Sequence, residues 1–264
     1  MIHSTAIVHP KTKLDPSVQV GPYALIDEGV EVGPNCVIGP QVYVTGLTHI
    51  GAHNRFYAGC VIGEAPQDLK YSGQLTRLRI GDYNVFREHV TVHRSNQEAE
   101  ATVIGSHNFL MANSHVAHNC RLGDLVILAN GVLLGGHVTL SDRAFLSGNC
   151  ILHQFVRVGT LALMQGGSAI SKDLPPYTVA CGGNSICGLN TVGLRRAGLT
   201  PAERLELKQL YRALFREGRN LRAAVANAQE KFSSAPAKVM LDFLAASKRG
   251  VLGDAGAKEA TVEL

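Results

Sequence analysis

Residues 104–140 read IGSHNFLMANSHVAHNCRLGDLVILANGVLLGGHVTL, and they decide the fold. An aliphatic residue returns at every sixth position of this stretch. The same spacing runs from Val8 to Ile170, where 25 of the 28 positions are apolar. The polar exceptions are Asp68, Gln74 and Glu98. An unrelated phase would be apolar at a little under half of its positions, so the period indicates a six-residue structural repeat.

Each hexad looks like a short strand followed by a tight turn. Gly often follows the aliphatic residue, as at Gly105, Gly123 and Gly135, and Pro often follows one place later. Gly tolerates positive φ and Pro presets φ near −65°, whereas a helix would not tolerate both at this density. Three sides of six residues make an 18-residue coil, so the sequence predicts a mainly β protein, a parallel β-helix of hexapeptide repeats over 1–189.

Two polar segments interrupt the period and then rejoin it in phase. They lie near 64–78 and 95–102, and we expect loops that leave the wall of the β-helix. Such loops are either tolerated insertions or the carriers of binding groups. After Ile170 the period fades, and Thr200 followed by Glu203 resembles a helix capping box. We expect an all-α C-terminal domain over 190–252 and a disordered tail over 253–264.

Composition narrows the class of protein. The 264 residues are 45% apolar and 17% charged, which excludes a disordered or coiled-coil chain. A net charge of +4 is too small to indicate a nucleic-acid-binding surface. We see neither a signal peptide nor an apolar run long enough to span a bilayer. The six Cys lack C-x-x-C spacing, so a disulfide framework or a zinc ribbon is not expected. These features predict a soluble, reduced, cytoplasmic protein.

Nine of the eleven His lie between residues 49 and 153, and some of them recur at about one coil of spacing. The 18-residue step from His118 reaches 136, beside His137, and the next step approaches His153. Together with His93 and His115 they should line one edge of the β-helix. A polar stripe on an outer wall would look the same. The stripe is suited to a general base with neighbouring imidazoles for binding, or to a three-His metal site.

Several motifs resemble one family over essentially residues 1 to 250. They are Pro66-Gln67-Asp68-Leu69-Lys70-Tyr71, Val90-Thr91-Val92-His93-Arg94, Asn113 to Cys120, Leu134 to Val138, Leu152-His153-Gln154-Phe155, Asp173 to Tyr177 and Gly188 to Gly198. They resemble the UDP-N-acetylglucosamine O-acyltransferases that open lipid A synthesis. The resemblance implies a cytoplasmic homotrimer of left-handed β-helices with active sites between subunits. It also implies transfer of an (R)-3-hydroxyacyl chain from acyl carrier protein to the 3-position of the UDP-sugar.

The resemblance also assigns roles to residues. His118 would be the general base, with Asn119 beside it, and Gln67 and Asp68 of a neighbouring subunit would bind the sugar nucleotide. The remaining substrate-binding residues would be Lys70, His93, His115, His137, His153, Gln154, Gly166, Asn190 and Arg196. No metal and no cofactor is implied beyond the phosphopantetheine of acyl carrier protein, and basic residues of the C-terminal domain could receive that acidic carrier. Gly166 would leave room for a long acyl chain.

Two residues depart from the family's pattern. Asn119 stands where the best-known members have Asp, and Val192 stands where they have an acidic residue. Since an amine is a better nucleophile than a hydroxyl and leans less on an oriented base, a 3-amino UDP-sugar is an alternative acceptor. Two further alternatives are a zinc enzyme like the γ-carbonic anhydrases and a paralogue that binds the sugar nucleotide without turnover.

Overall fold

A computed structural model describes residues 1–217 and 220–257. Within these residues, the chain winds through three parallel sheets that form the faces of a triangular prism. Strands one coil apart pair in register, as Ile7 does with Leu25 and Ile127 with Phe145, which is the 18-residue coil predicted from the sequence. No helix in this part of the chain is both long and apolar enough to cross a bilayer.

The first face has nine strands, and its outward side chains include exposed Ile7, Leu25, Leu133 and Ile151. Its strands are β1 (Ile7–Val8), β4 (Leu25–Ile26), β7 (Tyr43–Val44), β10 (Val61–Glu64), β13 (Thr91–His93), β16 (His115–Val116), β19 (Leu133–Leu134), β22 (Ile151–Leu152) and β25 (Ala169–Ile170).

The second face has eight strands and is charged on its outside, with Lys13, Glu31, Arg77, Arg121 and Arg157 at outward positions. Its strands are β2 (Lys13–Leu14), β5 (Glu31–Val32), β8 (Leu47–Ile50), β11 (Arg77–Ile80), β14 (Ala101–Ile104), β17 (Arg121–Leu122), β20 (Thr139–Leu140) and β23 (Arg157–Val158).

The third face has eleven strands, and Val85, Phe109, Ile127, Phe145 and Leu163 form an apolar outward column along it. Its strands are β3 (Gln19–Val20), β6 (Val37–Ile38), β9 (Arg55–Phe56), β12 (Val85–Phe86), β15 (Phe109–Leu110), β18 (Ile127–Leu128), β21 (Phe145–Leu146), β24 (Leu163–Met164), β26 (Thr178–Cys181), β27 (Ser185–Leu189) and β28 (Gly253–Asp254).

The core is a narrow column of inward side chains. Hexad residues such as Ile26, Leu110 and Leu134 are fully buried, and the rings of Phe56 and Phe86 stack with centroids 4.7 Å apart. The column is thin because most strands contribute only two residues, of which one points inward. Stability therefore comes from many small layers stacked along the prism, and no single bulky centre is needed.

A second inward phase lies two residues before the hexad aliphatic, and the sequence analysis did not separate it. Cys36, Cys60, Cys120 and Cys150 all occupy this phase and are buried. Burial raises the pKa of Cys60 to about 11 and that of Cys120 to about 12. These thiols therefore remain protonated near neutral pH and fill corners of the prism.

Cys181 and Cys187 form a disulfide, which corrects the expectation of a fully reduced chain. The sequence hid this pairing because the two residues lie outside the hexads. β26 and β27 form an antiparallel hairpin in which Cys181 is opposite Ser185, so Cys187 follows two residues along the same strand. Their Cα atoms are 6.0 Å apart, within the usual range for a disulfide.

The C-terminal helices begin immediately after β27. They are α1 (Thr191–Arg196), α2 (Pro201–Phe215), α3 (Leu221–Gln229) and α4 (Ala235–Ala245). The capping box predicted for α2 is confirmed, since Thr200 and Glu203 satisfy each other's backbone N–H groups. Asp173 ties the helices to the prism, because its carboxylate accepts hydrogen bonds from Arg157 and from the Ser247 hydroxyl.

The expected disordered tail is wrong for its first residues. Gly253–Asp254 pairs with β27, and a 3-10 turn covers Ala255–Ala257. Asp254 is buried, and it binds the hydroxyl of Tyr211 and the guanidinium of Arg216, which holds the segment in place. The rest of the expected tail, 258–264, lies outside the described residues.

Candidate active site

The predicted histidines come together at the edge where the first face meets the second. This edge, which we call the histidine edge, carries His93, His115, His118, His137 and His153. The His93 and His115 rings meet edge to face at a centroid distance of 4.9 Å, and His118 and His137 do so at 5.3 Å. The 18-residue coil explains the alignment, because each turn brings the chain back to the same edge.

Phe155 joins the histidine edge, although the sequence analysis did not select it. Its half-exposed ring stacks on His137, with centroids 4.4 Å apart. A signal for this contact was present in the sequence, since Phe155 follows His137 by one coil. The stacked pair gives the edge an apolar surface beside the imidazole of His118.

The hydrogen bonds of His118 fix which ring nitrogen carries the proton. Its Nδ1 lies 2.9 Å from Asn119 Oδ1. The same oxygen accepts the backbone N–H of Asn96 at 3.1 Å, so this atom is an acceptor and His118 Nδ1 is the donor. Nε2 consequently keeps its lone pair. Gly136 packs against the ring, and a Cβ there would lie 2.7 Å from Nε2 and Cε1.

Three other histidines of the edge, His93, His115 and His137, are held neutral. Burial, followed by the neighbouring charges of His115, His118 and Arg94, lowers the pKa of His93 to about 4. Burial and then the His118 charge lower the pKa values of His115 and His137 as well. Near neutral pH these three rings therefore act as hydrogen-bonding groups. His93 Nδ1 is buried without a hydrogen-bond partner among the described residues.

Both loops that interrupt the repeat leave the prism at the histidine edge. The first lies between β10 and β11, over 65–76, and the second lies between β13 and β14, over 94–100. Their ends agree closely with the breaks seen in the sequence. Their side chains contact each other, since Asn96 Nδ2 donates to Asp68 Oδ2 at 2.7 Å and Arg94 donates to the Tyr71 hydroxyl at 3.1 Å.

The expectation that Asp68 serves a neighbouring subunit stays a prediction. Asp68 lies at the histidine edge of its own chain, where the Lys70 backbone N–H and the Asn96 amide lower the pKa of its carboxyl. Gln67 and Lys70 are exposed on the same loop. The resemblance gave the residues of this loop without their geometry, and the loop conformation is set by contacts that the hexad pattern does not encode.

The C-terminal segment reaches the upper end of the histidine edge. Arg249 bonds the carbonyl oxygen of Ser171 at 3.0 Å, and its Nη2 lies 3.1 Å from His153 Nδ1. The same Nδ1 lies 3.2 Å from the backbone carbonyl oxygen of Gln154, so it stands between a donor and an acceptor. Gln154 lies beside it and is exposed. Arg249 was not selected from the sequence, since 96 residues separate it from His153.

The remaining predicted site residues lie on the other edges of the prism. Asn190 bonds the carbonyl oxygen of Leu161, where the second face meets the third, and its Oδ1 caps α1. Arg196 and Val192 line a groove of about 290 Å³ there. Gly166 is exposed where the third face meets the first. Within one chain, these residues do not meet the histidine edge.

A metal site finds no support in this geometry. Among residues 1–217 and 220–257, no three side chains of His, Cys, Asp or Glu converge as ligands would. The arrangement present is instead one imidazole with a free nitrogen, surrounded by neutral rings, an acidic group on a loop, and a glycine that lets the ring pack close to the backbone. Such a group can take a proton from a hydroxyl and return it to a leaving group.

Comparisons with known proteins identify the family. Residues 173–252 match the family model described as Udp N-acetylglucosamine O-acyltransferase, domain 2, while 11–46 and 101–136 match the bacterial transferase hexapeptide model. The acyl-(acyl-carrier-protein)–UDP-N-acetylglucosamine O-acyltransferase of Herminiimonas arsenicoxydans is 42% identical, over 96% of this chain and 99% of that protein. That of Gloeothece citriformis is 45% identical, over 77% of this chain and 74% of that protein.

Solved structures agree along the whole chain. The UDP-N-acetylglucosamine acyltransferase of Francisella novicida superposes with a TM-score of 0.94 at 34% identity and covers all of both chains. LpxA from Acinetobacter baumannii superposes with a TM-score of 0.92 at 38% identity, over 95% of this chain and 99% of that one. The predicted left-handed parallel β-helix with helices at its C-terminal end is confirmed. The chain belongs to the UDP-N-acetylglucosamine O-acyltransferase family.

Proposed function

We propose that the protein transfers an (R)-3-hydroxyacyl chain from acyl carrier protein to the 3-hydroxyl of UDP-N-acetylglucosamine, the first step of lipid A biosynthesis. The observation that carries this proposal is His118, whose Nδ1 donates to Asn119 and whose Nε2 therefore keeps a free lone pair where the ring packs against Gly136. Family membership supplies the substrates, and the histidine edge supplies a base of the kind the reaction needs.

The reaction needs one proton carrier. His118 Nε2 takes the proton of the 3-hydroxyl as its oxygen attacks the thioester carbonyl. A C–O bond forms, the C–S bond breaks, and the proton passes to the departing phosphopantetheine sulfur. Oxidation states do not change, so no cofactor is required beyond the phosphopantetheine that carries the acyl chain. The lowered pKa values of His93, His115 and His137 make these three rings weaker bases than an ordinary imidazole.

The binding roles follow from position and charge. The Asp68 carboxylate suits the sugar hydroxyls, and Lys70, His93, His115, His153 and Gln154 suit the acyl chain and the thioester arm. Arg204, Lys208 and Arg212 line a cavity of about 850 Å³ on the helical domain, where a basic rim fits acidic acyl carrier protein. That partner places the reaction in the cytoplasm.

A homotrimer would bring the separated site residues together. The outer surfaces of the first and third faces are apolar, whereas that of the second face is charged. The first and third faces are therefore suited to contact with another subunit, and the second is suited to solvent. Contact between the first face of one subunit and the third face of the next is heterologous and can close into a ring. The histidine edge borders the first face, and the groove with Asn190 and Arg196 borders the third. The ring would therefore supply the nucleotide end of each site from a neighbour.

An interface substitution tests this arrangement. Ile127→Glu places a carboxylate in the apolar column of the third face, and burying it without a partner costs roughly 3–5 kcal/mol per contact. We expect monomers by analytical ultracentrifugation and loss of acyl transfer. Thr139→Glu, at an outward position of the second face, is the matched control and should stay trimeric. A trimeric, active Ile127→Glu variant with native circular dichroism would contradict this packing.

The acceptor sugar is tested by comparing two substrates. The amide of Asn119 beside the base favours a second candidate, transfer to a 3-amino UDP-sugar. We expect enzyme-dependent acylation of UDP-N-acetylglucosamine from (R)-3-hydroxyacyl carrier protein, measured as kcat/KM beside its 3-amino analogue. Turnover of the amine alone would replace O-acylation by N-acylation. Binding of a UDP-sugar without transfer to either acceptor would leave a non-catalytic paralogue.

A further inference from the structure

Asn119 is held in one orientation by four hydrogen-bonding groups besides His118. Its Oδ1 accepts from the Asn96 backbone, and its own backbone N–H donates to Thr102 Oγ1 at 2.8 Å. Its Nδ2 donates to Ser95 Oγ at 2.9 Å and to Glu100 Oε2 at 2.7 Å. The side chain is 5% exposed, so the amide cannot exchange these partners for water.

The direction of these bonds forms a chain from a carboxylate to the base. Glu100 accepts from the Asn119 amide nitrogen, and the Asn119 amide oxygen accepts from His118 Nδ1. An amide is a conjugated group, so a negative charge at its N–H end increases the negative charge on its oxygen. The carboxylate thus acts on the imidazole through one intervening side chain.

We propose that Glu100 is a positioning residue for the base. Glu100, Asn119 and His118 form a relay, in which the Glu100 carboxylate contacts the Asn119 amide and that amide contacts His118. The proposal rests on the proposed function, since it concerns how His118 works in acyl transfer. Glu100 holds His118 in the Nδ1–H form and stabilises the imidazolium that forms when Nε2 takes the hydroxyl proton. Position 119 carries an uncharged amide, and Glu100 on the second loop supplies the negative charge instead.

A second observation supports the proximity of this charge to the histidine edge. The pKa of His137 is lowered by burial and by the His118 charge, and Glu100 and Asp68 act in the opposite direction. The Glu100 charge therefore also acts on the imidazole of His137. Glu98, two residues earlier on the same loop, is exposed, and only its carbonyl oxygen has a bonded partner here, the guanidinium of Arg77.

The test separates the charge of Glu100 from its hydrogen bond. In Glu100→Gln, the new amide can still accept the Asn119 N–H, but the negative charge is gone. We expect kcat for acyl transfer to fall roughly 10-fold to 100-fold with little change in KM, as for other partners that orient a reacting group. Glu98→Gln is the matched control and should keep wild-type kcat.

The double variant distinguishes positioning from a structural role. In Asn119→Asp/Glu100→Gln, the carboxylate sits directly on His118 and the glutamine amide donates to it, so the charge returns with the bond reversed. We expect kcat within about threefold of wild type, because the two positions couple. Asn119→Asp alone sets two carboxylates against each other and should be slower than the double variant. Equal losses from Glu100→Gln in both backgrounds, or no loss in either, would overturn the relay.

A readout independent of turnover keeps this test apart from the proposed function. With ¹⁵N-labelled histidine, His118 should appear as the Nδ1–H tautomer in the wild type, and its Nδ1 proton resonance should shift in Glu100→Gln but not in Glu98→Gln. An unchanged resonance would overturn the relay even in an active enzyme. Conversely, a shifted resonance in a protein that acylates neither sugar would retain the relay and contradict the proposed reaction.

Discussion

Replacing His118 with alanine is expected to lower kcat for acyl transfer by about 10² to 10⁴. The variant lacks the one imidazole at the histidine edge whose proton position leaves Nε2 free beside Gly136. The neighbouring histidines do not substitute for it, because burial lowers the pKa values of His93, His115 and His137 and makes them weaker bases. Binding of the UDP-sugar should change little, since the proton transfer occurs only in the reaction step.

Kinetics and binding must be measured together for this variant. Initial rates with (R)-3-hydroxyacyl carrier protein give kcat, and calorimetric titration with UDP-N-acetylglucosamine gives Kd. His49→Ala is the matched control, because His49 is an exposed imidazole on the second face near Glu31. It lies on β8, three strands away from β17, the strand that follows His118. His118→Ala retaining a tenth or more of wild-type kcat would contradict its role as the base.

The sequence predicts the fold well because one period governs it. Each hexad aliphatic, from Val20 to Ile170, is buried wherever the period holds, and the two segments that break it become loops. The two loops could be located because the pattern resumes in phase after each of them. The phase also predicted the alignment of His118 with His137, since one 18-residue coil separates equivalent positions on an edge.

Contacts that lie outside the six-residue period could not be predicted from the sequence. The contact between Asp68 and Asn96 depends on the paths of two loops, and the bond from Asn119 to Glu100 depends on the fold of the second. The pairing of Cys181 with Cys187 comes from a hairpin beyond the last hexad. Asn190 and Arg196 lie in a motif that resembles the same family as the histidine motifs do, yet the single chain places them on another edge.

In the proposed trimer, each acyltransferase site joins His118 of one subunit to Arg196 of the next. Complementation tests it, because His118→Ala and Arg196→Ala damage different parts of one site. The Arg196→Ala homotrimer should lose binding of the anionic nucleotide, as the His118→Ala homotrimer loses its base. Trimers assembled from equal amounts of both chains place an intact His118 beside an intact Arg196 at about one site in four.

The decisive measurement is therefore the rate of acyl transfer by coexpressed, differently tagged His118→Ala and Arg196→Ala chains purified through both tags. We expect recovery to about a third of the wild-type rate, far above either variant alone, because each mixed trimer re-forms one site of three that is complete in both residues. Mixed trimers no more active than the separate variants would place His118 and Arg196 in the same subunit's site and contradict a site shared between subunits.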